Sequence, residues 1–210
     1  MEYFNTEDIN GFSKLYRLNM INSITGYKSA NMIGTRSDSG KENVAIFSSI
    51  THLGSNPALL HFTLRPNTVP RDTYKNIKEN NVFTVNHVSL DQIEEAHHTS
   101  AKYDEAISEF DQTHLEAEYK IDWYAPFVKG SPVALGCRYL NEYEIEENGS
   151  VLIIASIEHI FIYTKLLQDD GCVKLESGKV VAINGLDGYT LPELKQRLDY
   201  ARPKEINKNN

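Results

Sequence analysis

The stretch that decides the fold is residues 43–86, NVAIFSSITHLGSNPALLHFTLRPNTVPRDTYKNIKENNVFTVN. Two apolar runs, Val44–Ile50 and Ala58–Leu64, predict strands because each is short and is bounded by polar or turn-forming residues. The turn between them lies at Gly54–Pro57. A short helical segment and a third strand, Val82–His87, complete the stretch. The chain is therefore expected to be mainly β with peripheral helices.

Polar and basic residues cluster where the helix of this stretch is expected to begin. Pro70 suits a first helical turn because its missing N–H is not needed there, and Thr68 or Asn67 can cap the helix. Asp72 lies near the positive end of the helix dipole. Free N–H groups at such a start, with basic side chains nearby, can bind an anion. A capped surface helix with solvated basic side chains fits the same spacing. The basic residues are Arg65, Arg71 and Lys75.

The order of motifs in the chain resembles that of the flavin reductase-like family. The segment NVAIFSSI is followed by RPNTVPRDTYKNI and then by VFTVN, as in that family. Further on, HTSAKYDEAISEF and SPVALGCR resemble two later segments of the family. These matches extend from about Met20 to Ile162, which is most of the chain. The resemblance implies an FMN-binding split β-barrel that is usually a homodimer, with the flavin site near the subunit interface.

The polar residues and the resemblance together predict a cofactor site. Backbone N–H groups of the strand over 44–51, with nearby hydroxyls, can stabilise the negative charge that reduction places on a flavin ring. The small residues Thr99–Ala101 allow close approach to a flat ring. A helix-breaking loop is the alternative, and the resemblance favours a loop beside the flavin or its substrate. No catalytic side chain is predicted, because the flavin carries the chemistry. The predicted cofactor-binding residues are Asn43, Ala45, Phe47, Ser48, Ser49, Ile50, Thr51, Arg65, Thr68, Arg71, Asp72, Thr73, Asn86, Thr99, Ser100 and Ala101.

More than one class of function is compatible with these residues. The resemblance implies an NAD(P)H-dependent oxidoreductase that passes two electrons through bound FMN to a small-molecule or flavin acceptor. A non-catalytic FMN-binding electron carrier, or a sensor or storage module, needs the same binding residues. A structural barrel without FMN is a third interpretation. The sequence has no P-loop and no Gly-x-Gly-x-x-Gly motif, which weakens the case for a dedicated NAD domain.

The sequence as a whole limits the partners. The chain has 210 residues and a formal net charge of −8, which argues against nonspecific nucleic-acid binding. Apolar runs are too short for a membrane span, and the acidic start lacks a signal peptide's apolar core, so a cytoplasmic location is expected. Cys137 and Cys172 are expected to be free thiols. Glu94 and His98 share a helix face, but without an evident third ligand no metal site is expected.

A single flavin reductase-like domain is expected to cover residues 1–210. Its predicted parts are an N-terminal helix within 1–22 that packs on the barrel through an apolar stripe, a split barrel with helical insertions over 23–184, a C-terminal helix over 185–203 and a disordered tail over 204–210. The C-terminal helix is predicted from a capping-box arrangement at Thr190–Glu193 and from an apolar stripe of Leu191, Leu194 and Leu198.

The second half of the predicted barrel contains one strong hairpin signal. Residues 133–147 and 150–164 flank an Asn148–Gly149 turn, which is typical of a β-hairpin. A cluster of aromatic residues precedes this hairpin and is interpreted either as core or as a cover for the flavin ring. Its candidates are Trp123, Tyr124 and Phe127.

Overall fold

A computed structural model describes residues 1–66, 71–104 and 107–203, and antiparallel strands dominate it. This confirms the expectation of a mainly β protein with peripheral helices. The helices are α1 (Thr6–Gly11), α2 (Lys14–Ile24), α3 (Asp72–Asn80), α4 (Ile93–His98) and α5 (Glu109–Gln112). The strands are β1 (Lys28–Ser29), β2 (Asn31–Arg36), β3 (Glu42–Phe47), β4 (Thr51–Ser55), β5 (Ala58–Leu64), β6 (Val82–His87), β7 (Ala117–Glu118), β8 (Phe127–Val128), β9 (Val133–Ile145), β10 (Ser150–Ile162), β11 (Ala182–Asn184) and β12 (Gly188–Thr190).

Seven of the strands form one sheet, in the order β3-β2-β6-β9-β10-β5-β4. The long β9–β10 hairpin lies at its centre, and its pairing starts at Ser150 opposite Ile145, as the Asn-Gly turn predicts. Smaller sheets join β1 to β11 and β12, and β7 to β8. The chain passes directly from β3 to β4, so the two outer strands of the main sheet are joined by only a few residues.

The main sheet curls around an apolar core. Phe47 at the end of β3 packs edge-on against Phe62 of β5, and Phe62 in turn packs against Phe83 of β6. Contact between rings from opposite ends of the strand order requires the sheet to close on itself. The buried core residues on this side are Ile33, Leu60, Phe62, Leu64, Ile77, Phe83, Val85, Cys137, Ile153 and Ala155.

Ser49 bridges the gap between the two outer strands. Its hydroxyl donates to the carbonyl of Thr63 on β5 at 2.9 Å and accepts from the Thr63 N–H at 3.2 Å. β4 pairs with β5 up to Thr51 opposite His61, so the Ser49 side chain continues that ladder beyond the end of β4. A side chain thus satisfies backbone groups that would otherwise lie at an open edge.

A close backbone approach on the outer side of β2 requires glycine. A Cβ atom built on Gly34 would lie 2.3 Å from the carbonyl oxygen of Pro126 and 2.6 Å from Oγ1 of Thr84. The Thr84 hydroxyl also donates to that Pro126 carbonyl at 2.6 Å. This contact holds the segment before β8 against the barrel.

The two ends of the chain differ from the sequence-based expectation. The N-terminal helix is split, because Phe12 is extended and Ser13 caps a second helix. Both helices lie within the described residues and neither has a fully buried residue, although Ile9, Phe12 and Met20 of the predicted stripe are half-buried. The expected C-terminal helix over 185–203 is wrong. Thr190 ends β12, and residues 191–203, all of them described, form no helix. The apolar residues of the expected stripe, Leu191, Leu194 and Leu198, are exposed.

Two further boundaries moved. The strand expected to run to Ile50 ends at Phe47, where the chain turns towards β4. α3 begins at Asp72, with Arg71 extended at its N-cap position and no side-chain cap. The capping residues and first-turn proline that the sequence suggested, Asn67, Thr68 and Pro70, lie outside the described residues.

The aromatic cluster before the hairpin belongs mainly to the core. Trp123 is buried and donates from Nε1 to the carbonyl of Phe83, while Phe127 is fully buried. Neither ring is placed to cover a flavin. Tyr124 is half-buried, and its hydroxyl donates to the carbonyl of Ser37.

Helix length and thiol state complete the description. Among the described helices, none is both long and apolar enough to cross a membrane. Cys137 is buried on β9, Cys172 is half-buried, and both are free thiols, as expected.

Candidate functional site

The site is built on the outer edge of β3. On one side β3 pairs with β2, with Phe47, Ala45 and Asn43 opposite residues of that strand. Its other side is an edge of the seven-stranded sheet. In an antiparallel strand, alternate N–H groups point away from the paired neighbour. Those of Val44 and Ile46 therefore face this open edge.

Side chains from the α4–α5 region bind these two N–H groups. The Val44 N–H donates to a carboxylate oxygen of Glu109 at 3.3 Å, and the Ile46 N–H donates to Oγ1 of Thr99 at 2.9 Å. Thr99 is buried at the C-terminal end of α4, and its hydroxyl donates to the Ala96 carbonyl at 2.7 Å. The Ser48 N–H follows in the same alternation, just beyond the end of the strand. Side chains therefore accept from the N–H groups at Val44 and Ile46. The Ser48 N–H is the next one along this edge and is the first that could face a ligand.

The segment after β3 is held from both sides. The Ser49 hydroxyl is already bonded to Thr63, and the carbonyl of Ile50 accepts from the Ser29 hydroxyl at 3.1 Å. Ser48 is half-buried and Thr51 is exposed. The structure therefore uses the Ser49 side chain to close the barrel and leaves Ser48, with its neighbouring backbone, as the better placed donor to a ligand.

The start of α3 is tied to the beginning of β3 by a buried polar cluster. Asn43 lies within hydrogen-bond distance of Thr35 and Thr73, at 3.2 and 3.1 Å, and Asn76 donates to Oγ1 of Thr35 at 3.0 Å. Glu109 approaches the same Asn43 amide at 3.2 Å. Burial is the main reason why the pKa of the Glu109 carboxyl is raised, and the nearby carboxylate of Asp72 adds to it. This cluster, which we call the Asn43 cluster, places Thr73 and the first turn of α3 beside β3.

Two arginines flank this helix start, and their surroundings differ. Arg71 and Arg65 line a small cavity with Leu64, Tyr74 and Val151. The Nε atom of Arg71 is buried, and among the described residues it has no hydrogen-bond partner. Arg65 is exposed. A buried, unpaired guanidinium donor is costly unless an acceptor reaches it, so an anion such as a phosphate fits this position.

Lys75 does not join the arginines. It lines a separate polar cleft, together with Lys41, Asp72 and Asn43. The positive cluster expected from the sequence is therefore divided, with the arginines on one side of the helix start and the lysines on the other.

Asn86 has a structural role. It is fully buried, donates from Nδ2 to the carbonyl of Met32 and to Oγ1 of Thr84, and accepts from the N–H of Val128. These bonds join β6 to β2 and β8. Its side-chain amide is thus already used within the fold.

The remaining predicted site residues lie after α4, on β3, at the start of α3, or outside the described residues. Ser100 and Ala101 are exposed next to Thr99, and the Ser100 hydroxyl donates to the His97 carbonyl. Ala45 lies on β3, and Asp72 begins α3. Thr68 lies outside the described residues. Glu109 was missed as a site residue, although the Glu-Phe pair that ends the HTSAKYDEAISEF segment marked its position.

The arrangement of His, Cys, Asp and Glu side chains bears on whether the chain could bind a metal ion. Within residues 1–66, 71–104 and 107–203, the structure brings together no group of three potential metal-ligating side chains.

Comparison with known proteins gives the class. Residues 26–171 match the family described as flavin reductase like domain, and the chain belongs to this family. No curated protein matches the chain. A solved structure described as a flavin reductase with a split barrel domain, from Shewanella frigidimarina NCIMB 400, is similar with 39% identity and a TM-score of 0.93. The match covers 96% of this chain and 100% of that one. The split β-barrel is therefore confirmed.

More distant structures share the fold. Nitrilotriacetate monooxygenase component B from Bacillus cereus has 17% identity and a TM-score of 0.82, over 94% of this chain and 98% of that chain. Flavoredoxin of Desulfovibrio vulgaris (Miyazaki F) has 20% identity and a TM-score of 0.70, over 83% and 91%. Family membership supports a flavin-related oxidoreductase function for the chain.

Proposed function

We propose that this protein is an NAD(P)H-dependent oxidoreductase that uses bound FMN, works as a homodimer in the cytoplasm, and passes electrons to a flavin or another small molecule. The phosphate of FMN would lie at the start of α3, and the ring along the chain that leaves β3. The observation that carries this proposal is the buried Nε of Arg71, at the N-terminal end of a helix, which has no partner within residues 1–66, 71–104 and 107–203.

The spacing of the site supports a mononucleotide rather than an isolated anion. Asn43 contacts Thr73 at the start of α3, while Phe47 and Ser48 lie at the far end of β3. At about 3.3 Å per residue, the strand separates these two ends by roughly 13 Å. A ligand with a phosphate at one end and a flat ring at the other matches that arrangement. A flavin without a phosphate would leave Arg71 without its partner.

The chain's own part in the reaction is to bind and orient. Bound FMN supplies hydride acceptance and electron transfer. Arg71, with Thr73 and the first turn of α3, would hold the phosphate, and the N–H groups that follow Phe47 would face the ring's polar edge. Thr99 and Glu109 accept hydrogen bonds from N–H groups on the outer edge of β3. A nicotinamide would need the ring's exposed face for productive stacking.

The homodimer is proposed from apolar surface that the chain leaves uncovered. α2 exposes Leu15, Leu18, Ile21 and Ile24. The β9–β10 hairpin exposes further apolar or aromatic side chains, at Leu140, Tyr143 and Ile160. Surface of this kind often marks an interface between proteins. Light scattering should return twice the chain mass, and a stable monomer that still binds FMN would remove this part of the proposal.

The decisive experiment follows the visible spectrum of the purified protein. It should be yellow, or become so on titration with FMN, and denaturation should release FMN rather than FAD. Anaerobic addition of NADH or NADPH should then bleach the flavin absorbance, and steady-state oxidation should follow when free FMN is supplied. If FMN gives no binding signal, the proposal fails. Binding without oxidation of either nucleotide would instead assign the electron-carrier or storage alternative.

A further inference from the structure

In one arrangement of the Asn43 cluster both ends of the Asn43 amide have suitable partners, and an ionised Glu109 serves as an acceptor. In it, Nδ2 of Asn43 donates to the Glu109 carboxylate at 3.2 Å. The Asn43 oxygen then accepts from the hydroxyls of Thr35 and Thr73, at 3.2 and 3.1 Å. Thr35 accepts from Asn76 in its turn. The Thr73 hydroxyl hydrogen is used inside the protein in this arrangement.

The reverse orientation of the same amide has a different requirement. Nδ2 of Asn43 then donates to Thr35 and Thr73, and the Asn43 oxygen faces the Glu109 carboxyl. Two acceptors at that distance repel unless one of them carries a proton. A protonated Glu109 removes the conflict, because its O–H can donate to the Asn43 oxygen. The orientation of Asn43 is thus coupled to the protonation of Glu109.

This coupling extends from Asn43 to Thr73, which lies at the start of α3. The proposed function places the phosphate of FMN at that helix start. When Asn43 donates to Thr73, the Thr73 hydroxyl hydrogen is released and can be donated elsewhere. Thr73 is the second residue of α3, so its hydroxyl and its backbone N–H belong to the same positive helix end. An anion bound there gains a donor only in the state with a protonated carboxyl.

We propose that Glu109 is a positioning residue whose proton, relayed through the Asn43 amide, turns the Thr73 hydroxyl toward the phosphate of the bound flavin, so that FMN binding takes up one proton from solvent. The inference rests on the proposed function and adds a regulation to its site: tighter binding at lower pH. The proton goes to a Glu109 carboxylate oxygen, no heavy-atom bond changes, and the Asn43 amide reverses.

Burial and the nearest carboxylate favour protonation of Glu109. Burial raises the pKa of Glu109, and the Asp72 carboxylate on α3 adds to the rise. Lys41, in the turn before β3, and the Val44 N–H act in the opposite direction. Glu42 and Lys75 line the polar cleft on the same side of the cluster. An entering phosphate adds negative charge, which further favours the protonated carboxyl.

Glu109→Gln separates this role from a structural one. A glutamine with its amide nitrogen at the position of Oε2 can donate to the Asn43 oxygen at every pH, as the protonated carboxyl does. The same position accepts from the Val44 N–H in the wild type, so the variant gives up that bond. We expect the variant to bind FMN about ten-fold more tightly than the wild type at a pH high enough to ionise Glu109, because one hydrogen bond to a charged group is gained. The difference should shrink steadily as the pH is lowered and the wild-type carboxyl takes up its proton. A residue that only supports the fold would instead weaken binding when changed.

Proton uptake is measured directly by titration calorimetry in two buffers of different ionisation enthalpy. The wild type should take up more protons per FMN than Glu109→Gln, with the phosphate's own proton, whose pKa is about 6, cancelling between them. Riboflavin, which lacks the phosphate, should show no difference between the two proteins. Equal uptake by both proteins would overturn the inference.

A double-mutant cycle with Thr73 tests how Glu109 acts on FMN binding. It separates an effect passed through Asn43 to the Thr73 hydroxyl from a direct effect of removing the carboxylate charge. In a Thr73→Val background, Glu109→Gln should no longer tighten FMN binding, whereas in Thr73→Ser the gain should persist. An undiminished gain in Thr73→Val would mean that loss of the carboxylate charge acts through space, and the relay would be wrong. Wild-type protein that fails to bind FMN at all would reject the proposed function itself, and the two failures are therefore distinct.

Discussion

At the scale of single residues, Arg71 differs from Arg65 in what surrounds its charge. Both line the cavity beside Leu64, but only Arg71 has a buried nitrogen without a partner in the described part of the chain. Arg65 follows the last residue of β5 and is exposed, so solvent can satisfy its donors. The unmet donor is therefore specific to Arg71.

Replacement of Arg71 by alanine should weaken FMN binding by about ten-fold to a hundred-fold, since a charge-assisted bond to phosphate contributes roughly 1.5–3 kcal/mol. Arg65→Ala is the matched control and should lose less. Riboflavin should lose little on either change. Fluorescence titration of both ligands against the three proteins measures this. Equal loss of FMN and riboflavin would point to the ring or the fold, and no loss would leave Arg71 a merely structural arginine.

At the scale of elements, the outer edge of β3 depends on α4. Open strand edges carry unpaired N–H groups that are costly when buried and prone to foreign pairing when exposed. Thr99 satisfies the Ile46 N–H from the last turn of a short helix. The loop after α4 is thereby fixed beside the chain that leaves β3.

Thr99→Val should lower the free energy of unfolding by about 1–3 kcal/mol, because the valine side chain fits but leaves the Ile46 N–H without an acceptor. Ser100→Ala, one residue along and exposed, should change it by no more than about 0.5 kcal/mol. Urea unfolding followed by circular dichroism gives both values. Hydrogen exchange at the Ile46 amide should accelerate in Thr99→Val alone; unchanged exchange there would contradict the assigned bond.

A correctly predicted strand and a wrongly predicted helix show which secondary structure could be predicted from the sequence. The strand Ala58–Leu64 was predicted to the residue, because alternating burial and flanking turns are local properties of the chain. The prediction of a C-terminal helix was wrong, although it rested on a capping box and an apolar stripe that are equally local properties of the chain. A helix of that length is marginal without a surface to pack on, and local pattern does not reveal whether that surface exists.

The position of the site could be predicted from the sequence, but the hydrogen-bond partners of its residues could not. Motif order identified the beginning of β3 and the start of α3, which the structure does bring together. The bond from Val44 to Glu109 joins residues 65 positions apart, and no periodicity connects them. Asn86 and Ser49 are predicted cofactor residues because they are polar and lie within family motifs. That their side chains also join strands could not be read from any local pattern.

At the scale of the whole molecule, stability should depend on pH through two groups with opposite effects. His87 ends β6, and burial lowers its pKa from 6.5 to about 4. Its Nδ1 atom has no partner among the described residues. Between those values the unfolded chain binds a proton that the folded chain does not, so stability rises with pH. The raised pKa of Glu109 acts the other way, because there the folded chain holds the extra proton.

The free energy of unfolding should therefore rise between about pH 4.5 and 6.5, with a contribution from His87 of about 2–3 kcal/mol. His87→Gln should flatten this rise, and Glu109→Gln should make it steeper. The measurement is urea unfolding at several pH values, in which the slope against pH is compared rather than the absolute stability. A parallel profile for His87→Gln and wild type would contradict the buried, neutral imidazole.

The placement of the two thiols makes the protein its own conformational reporter. Cys137 is sealed within the barrel, and burial raises the pKa of its thiol, which suppresses the reactive thiolate. Cys172 lies partly open in the segment after β10. A chromogenic thiol reagent should thus modify one cysteine per native chain at once and the second only when the barrel opens. A dye attached to Cys172 would give a single-site label without any mutagenesis, and the slow appearance of the second thiol would time the opening of the barrel directly.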